Sequence, residues 1–154
     1  MDYGWIVRVD QSLSTQVASL YKNMPVDNIL QTNGATGATM LALYALIEPE
    51  DHIISMYPTY QQLYDIPKSL GAEVDLWEIE EDKGWLPDLD QLRRLIRPNT
   101  KMICINNANN PTGALMDAAY LGDLVAIAKE VGAYIFSDEV YRSFDQPAPS
   151  IVDL

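Results

Sequence analysis

Residues 52–79 read HIISMYPTYQQLYDIPKSLGAEVDLWEI, and this stretch decides the fold. His52 to Met56 reads as an apolar strand, and Tyr57-Pro58 opens a helix that carries Leu63, Ile66 and Leu70 on one stripe. Pro67 predicts a kink in that helix, and Gly71 is placed to close it. From Glu73 to Ile79 the chain alternates, with Val74, Leu76 and Ile79 on the sides of a second strand. The acidic loop Glu80-Glu81-Asp82-Lys83-Gly84 ends it. A strand that returns through a helix to another strand implies a right-handed crossover and parallel pairing.

The same alternation extends in both directions. Upstream, Ser12 to Lys22 predicts a helix with Leu13, Val17 and Leu20 on one face, stopped before Asn23 and Pro25, and Ile29 to Thr32 predicts a short strand. Thr39 to Ile47 is apolar almost all round, the pattern of a helix buried on several sides. Downstream, Asp88 to Arg97 predicts a helix with Leu89, Leu92 and Ile96 inward and Arg93, Arg94 and Arg97 toward the end, where cations suit the helix dipole. Met102 to Asn106 predicts a buried strand. Asp117 to Val131 predicts an amphipathic helix stopped by Gly132, Tyr134 to Ser137 a last strand, and Ser143 to Leu154 a proline-containing tail. The expected fold class is therefore α/β, a mainly parallel sheet covered by helices on both faces.

Composition narrows what such a sheet can serve. The chain has 154 residues, 48% hydrophobic and 21% charged, enough for one soluble domain or part of a larger one, but short for an enzyme of two lobes. Twenty-two acidic side chains against 10 basic ones give a net charge of -12, which disfavours a nucleic-acid surface and a polybasic membrane patch. Any phosphate bound here must be held by a local site. One cysteine, Cys104, and one histidine, His52, exclude an intrachain disulfide and the usual multi-ligand zinc sites, so no metal is expected. A reducing, cytoplasmic setting fits best. The amino terminus Met-Asp-Tyr-Gly-Trp lacks the regions of a signal peptide, and no run approaches the roughly 18 apolar residues of a membrane span. Cys104 reads as a buried small hydrophobe and His52 as a surface or capping residue. Trp5, Trp77 and Trp85 fit either packing or an interface.

Ligands of parallel sheets gather at the carboxyl ends of the strands, and four unusual segments follow directly on predicted strands. Gly34-Ala35-Thr36-Gly37 is a small-residue turn at a helix start, able to hold a phosphate with backbone N–H groups; alone it is equally a glycine turn capped by Thr36. Tyr57-Pro58-Thr59-Tyr60 follows the strand at residues 52–56. Asn110-Pro111-Thr112-Gly113 is a turn by composition and as a turn needs no ligand. Asp138 closes an apolar strand, where an acid is a helix cap, a metal ligand or the partner of a buried cation.

Taken together, Thr32-Asn33-Gly34-Ala35-Thr36-Gly37-Ala38, Tyr57-Pro58-Thr59-Tyr60, Asn109-Asn110-Pro111-Thr112-Gly113 and Ser137-Asp138-Glu139-Val140-Tyr141 resemble, in order and wording, the large domain of the class I/II aminotransferases. These are pyridoxal-phosphate enzymes of fold type I. The resemblance runs from about Tyr3 to Arg142 and implies that residues 1–154 are the central part of a large, cofactor-binding domain. It implies that Ala35 and Thr36 hold the cofactor phosphate, Tyr60 stacks on the pyridine ring, and Asn110 and Tyr141 donate to the ring hydroxyl oxygen. It implies likewise that Asp138 pairs with the ring nitrogen and favours its protonated form. At Tyr3, which aligns with a tyrosine that reaches the phosphate across a dimer interface, the pattern is degraded by Arg8, and no role is carried over.

The resemblance also implies a Schiff-base lysine downstream of Asp138 in a serine-rich segment, and an arginine that grips the substrate carboxylate. The five lysines here, Lys22, Lys68, Lys83, Lys101 and Lys129, stand in predicted helices, in the acidic loop or at the opening end of a strand, so none fits that role. The expectation is a fragment that carries the cofactor cradle, binds pyridoxal 5'-phosphate weakly and non-covalently, and is inactive alone. In the complete enzyme an amino group passes between an amino acid and a 2-oxo acid. Uncovered strand edges predict self-association as a homo-oligomer, a dimer in the family. A lyase, decarboxylase or cyclase sharing the cradle, and a non-catalytic remnant, are the alternatives. A dinucleotide-binding domain is disfavoured because Gly34-Ala35-Thr36-Gly37 lacks the G-x-G-x-x-G spacing, and a nucleophilic hydrolase because His52 sits at the opposite end of the sheet.

Overall fold

A computed structural model of the chain describes residues 11–143 and 148–154; Tyr3, Trp5 and Arg8 lie outside the described residues. Four strands, β1 (His52–Tyr57), β2 (Glu73–Glu78), β3 (Thr100–Asn106) and β4 (Tyr134–Asp138), form one sheet in the order β2-β1-β3-β4. Every pairing is parallel, as the crossovers predict. The helices are α1 (Gln11–Ala18), α2 (Gly34–Leu46), α3 (Gln62–Ser69), α4 (Leu89–Leu95) and α5 (Ala118–Val131).

Period-2 alternation in the strands divides the core in two. Ile54 and Met56 of β1 and Ile103 and Ile105 of β3 pack with Trp77, Leu92, Leu121, Leu124 and Ile127, so α4 and α5 cover this face. Ile53, Met102 and Cys104 point to the other face and pack with Leu43, Ile47 and Leu63 of the α2 and α3 layer. Burial of each of the large aliphatic side chains of α5 contributes about 1.5–3 kcal/mol, more than the intrinsic preference of any one residue for helix. Trp77, fully buried, is a core residue whose Nε1–H donates to the Asp88 carbonyl (2.9 Å).

The helix ends follow local chemistry. Asp88 caps α4 by accepting from the N–H groups of Asp90 and Gln91, and Asp117 caps α5 by accepting from Tyr120 N–H (2.8 Å). Gly132 ends α5 at φ 71°, a left-handed conformation that glycine adopts without steric cost. Pro67 lies buried inside α3, two residues before its end. The tail is fastened by Glu139, whose Oε1 accepts from Ser137 Oγ (3.2 Å), Ser150 Oγ (3.0 Å) and Ile151 N–H (3.0 Å).

Four expectations are corrected. Ile29–Thr32 is not a strand: among the described residues no strand pairs with it, and an extended segment without a hydrogen-bonded neighbour is not sheet. α1 ends at Ala18 and not at Lys22, and its buried residues are Ser14 and Ala18; of the expected inward face Val17 is half-buried, while Leu13 and, beyond the helix, Leu20 are exposed, because the side of α1 that meets the rest of the chain is its small-residue side. In α2 only Thr39 and Leu43 are buried; Leu41 (56% exposed) and Tyr44 (61%) point away from the sheet, whose surface covers just one side of the helix. His52 is fully buried rather than a surface residue. It opens β1, which is flanked by β2 and β3, so even its first residue is enclosed.

At His52 a polar cluster closes the amino-terminal end of the sheet. Nδ1 lies 2.8 Å from Thr100 Oγ1, which itself accepts from Arg97 N–H (2.7 Å), and Nε2 lies 3.1 Å from Asp75 Oδ2. A neutral ring satisfies this arrangement, with Nε2–H donating to Asp75 and Nδ1 accepting the Thr100 hydroxyl. Burial lowers the His52 pKa from its ordinary 6.5, helped by the Arg97 charge and opposed by the hydrogen bond to Asp75. Arg97 also pairs with Asp75 (2.7 Å) and with Glu73.

Candidate functional site

Parity and register assemble a site at the carboxyl ends of the strands. Asn106, the last residue of β3, and Asp138, the last of β4, are register partners. Each lies two residues beyond a side chain of the α2-side core, Cys104 and Phe136 respectively, so both turn toward α2. The start of α2 supplies Ala35 and Thr36, the segment after β1 supplies Tyr60, and the turn after β3 supplies Asn110. Together with Val140 and Tyr141 these residues line one cavity of about 170 Å³. All six residues singled out in the sequence, Ala35, Thr36, Tyr60, Asn110, Asp138 and Tyr141, are thus brought together.

The α2 end of the cavity is suited to an anion. Gly34 enters the helix at φ 73°, and Asn33 at the cap position makes no capping hydrogen bond, so it leaves the first-turn amides without a side-chain partner. Gln62 Nε2 reaches Thr36 Oγ1 at 3.4 Å, while Gln62 Oε1 is a buried acceptor with no partner. At the opposite wall, Asp138 Oδ1 accepts from Val140 N–H (3.0 Å), which fixes the direction of the carboxylate.

Two asparagines that the sequence left without a role hold the walls in place. Asn109, 3% exposed, bonds across to the segment after β1: Thr59 Oγ1 donates to its Oδ1 (2.8 Å), and its Nδ2 donates to the Pro58 carbonyl (3.1 Å) and to Thr112 Oγ1 (2.9 Å). Asn106, 1% exposed, accepts from Asn110 N–H at Oδ1 (2.6 Å) and donates from Nδ2 to the Asp138 carbonyl (3.0 Å). Strand parity was the signal that could have found Asn106, since it places that residue on the face of Met102 and Cys104. Val140 was legible only as a member of a quoted motif.

None of the five lysines lines the cavity; Lys68, Lys83 and Lys129 lie in helical segments, Lys22 follows α1, and Lys101 is near the start of β3. The Cys104 thiol is fully buried, and burial pushes its pKa up to about 12. It is a core residue and not a nucleophile of this site. No helix among the described residues is long and apolar enough to cross a membrane.

With this geometry in view, comparison with known proteins gives consistent matches. The model of the family "Aminotransferase class I and II" matches residues 7–152. An aspartate aminotransferase from Thermotoga maritima is 32% identical over an alignment of 154 positions that covers 97% of this chain and 40% of that protein. A crystal structure of a PLP-dependent aminotransferase from Streptococcus suis superposes with a TM-score of 0.93 at 68% identity, covering 99% of this chain and 41% of that one. The alanine aminotransferase of Pyrococcus furiosus superposes with a TM-score of 0.86 at 30% identity, covering 92% and 38%. The chain therefore spans about 40% of the length of the relatives it matches.

Proposed function

The chain belongs to the class I and II aminotransferase family, and from that premise we propose that it is the cofactor-cradling part of an enzyme that transfers an amino group between an amino acid and a 2-oxo acid, with pyridoxal 5'-phosphate held at the strand ends. The observation that carries this is the convergence of Ala35, Thr36, Tyr60, Asn110, Asp138 and Tyr141, drawn from four separate segments, on one cavity. The residues fit the cofactor at both ends: an uncapped helix start for a phosphate, a carboxylate for a ring nitrogen.

In this proposal the backbone N–H groups of Ala35 and Thr36 bind the phosphate, assisted by the dipole of the 13-residue α2. A neutral cup suits a chain of net charge -12, because the anion is held by oriented dipoles and not by a cationic surface. The Tyr60 ring covers one face of the pyridine. Asn110 and Tyr141 orient the ring through its hydroxyl oxygen, and Asp138 holds a proton on the ring nitrogen. When bound, pyridoxal phosphate supplies an electron sink for negative charge developing beside the amino group of an amino acid. Asp138 raises the capacity of that sink by keeping the ring cationic.

These 154 residues bring no lysine to the cavity, so they bind and polarise the cofactor without a residue to bond to it covalently or to move the substrate's proton. At about 170 Å³ the cavity is smaller than the roughly 300–1,000 Å³ pockets that enclose drug-sized ligands, which predicts weak binding. Homo-oligomerisation belongs to the same proposal, supported by the exposed Leu41 and Tyr44 of α2, as does a cytoplasmic setting, supported by the unpaired thiol of Cys104.

The test is to add pyridoxal phosphate to the 154-residue chain, follow the visible absorbance of bound cofactor, then treat with borohydride and weigh the intact protein. Saturable binding that Asp138→Ala abolishes, with no mass increase, is expected. A stoichiometric adduct on one lysine together with amino-group transfer refutes the proposal, as does binding indifferent to Asp138.

A further inference from the structure

Asn106 is absent from the set of residues through which the cofactor is proposed to be held, yet it lines the same cavity and is 1% exposed. A buried amide is costly unless its donors and acceptor are used, and this one uses them on two different walls. Its Oδ1 accepts the Asn110 N–H (2.6 Å) on the turn after β3, and its Nδ2 donates to the carbonyl of Asp138 (3.0 Å) at the end of β4. The same Asp138 carbonyl accepts from Asn107 N–H (2.9 Å), so the backbone that carries the carboxylate is pinned from β3 twice. Asn110 and Asp138 are the two polar groups assigned above to two atoms of one flat, rigid ring, its hydroxyl oxygen and its nitrogen, which stand meta to each other.

A rigid ligand that offers hydrogen-bonding atoms at a fixed spacing demands the same spacing of its partners; a small misplacement is paid in both bonds at once. Asn110 sits on a turn and Asp138 on an edge strand, and Asn106 is the side chain that bonds to both. We propose that Asn106 is a positioning residue that sets the separation of the Asn110 amide and the Asp138 carboxylate, and through it the seating of the cofactor ring. This rests on the cofactor assignment above. It accounts for an amide at a wall position where an apolar residue of the same face, such as the preceding Met102 and Cys104, would pack without needing partners.

The experiment compares the wild-type chain with Asn106→Ala, Asn110→Ala and the double variant. In Asn106→Ala we expect pyridoxal phosphate to bind at least tenfold more weakly, and the pH at which the visible band of the bound cofactor changes to shift, because the carboxylate no longer meets the ring nitrogen at the same distance. In the Asn110→Ala background the loss on Asn106→Ala is expected to be smaller, since part of its action passes through Asn110. Loss of general stability alone would leave the spectral titration of the bound fraction unmoved and the two losses additive; that pair of results overturns the proposal. Hydrogen exchange of the Asn110 amide, measured without cofactor, is expected to quicken tenfold or more in Asn106→Ala relative to amides of β1. If the wild-type chain takes up no pyridoxal phosphate, the cofactor assignment fails by itself. The exchange rate of Asn110 then decides the role of Asn106, and an unchanged rate overturns it.

Discussion

Truncating Asn109 to alanine separates the two loops that face each other across the cavity. In the folded chain its amide makes three hydrogen bonds, from Thr59 Oγ1 (2.8 Å), to the Pro58 carbonyl (3.1 Å) and to Thr112 Oγ1 (2.9 Å). Both Asn109 (3% exposed) and Thr59 (8%) are shielded from water, so the partners left behind are not rehydrated without local opening. Each such bond contributes a net ~0.5–1.5 kcal/mol, and an orphaned buried partner costs ~1–3 kcal/mol, so Asn109→Ala is expected to destabilise the chain by about 2–4 kcal/mol. With a urea slope on the order of 2 kcal/mol/M for a small domain, the midpoint falls by roughly 1–2 M. The slope itself stays constant, because the sheet and both cores are untouched. Adding Thr59→Val discriminates the cause. In wild type this change orphans Asn109 Oδ1, whereas in Asn109→Ala the hydroxyl has already lost its acceptor, so a coupling of about 1 kcal/mol is expected in the double-mutant cycle. A midpoint within 0.3 M or so of wild type, or strictly additive losses, refutes the clamp.

Three further outcomes are expected from the same structure. The lowered pKa of His52 means that the unfolded chain binds the proton first as pH falls; the stability is fully present above the unfolded value of 6.5 and is lost below it, by at most ~1.4 kcal/mol per pH unit. Urea midpoints recorded across that range are expected to slope in wild type and less so in His52→Gln, and equal slopes would refute the buried neutral ring. Cys104, buried with its pKa pushed up to about 12, is expected to resist iodoacetamide at pH 8 until denaturant is added, with mass spectrometry as the readout. Asp117→Ala removes the cap on α5 and is expected to cost about 1 kcal/mol in urea unfolding, while Asp117→Asn is expected to cost less than half of that.

What the sequence disclosed was what local chemistry fixes. The capping acids Asp88 and Asp117, the glycine stop at Gly132 and the period-2 runs in β1 and β3 each act within a few residues, and each element they define was placed within one or two residues of its observed bounds. The convergence of Tyr60, Asn110, Asp138 and Tyr141 was legible for a related reason: a parallel sheet brings the segments that follow its strands to one rim. His52 was misjudged because the acids before it, Glu50 and Asp51, describe the loop and not the strand that the residue enters. Its burial is set by β2 and β3, which lie far along the chain.

The remaining errors share one physical origin, and it bears on function. Ile29–Thr32 was expected as a strand, α2 as a helix buried on several sides, and Leu13 with Leu20 as the inward face of α1. In each case apolar residues expected to be buried stand exposed among the described residues: Leu30, Leu13 and Leu20, and Leu41 and Tyr44 of α2. Apolar patterning reports that a surface is to be buried without reporting by what. The uncovered residues are not scattered: Leu41 and Tyr44 lie on the helix whose first turn lines one end of the cavity, and the β4 edge ends in Asp138. A surface that covered α2 and the β4 edge would therefore also stiffen the two ends of the proposed cofactor cradle. A partner surface there, from further chain or from a second copy, is expected to tighten pyridoxal phosphate binding without touching the ligand. The link is thermodynamic, since an association that orders Ala35, Thr36 and Asp138 lowers the ordering cost that the cofactor must otherwise meet.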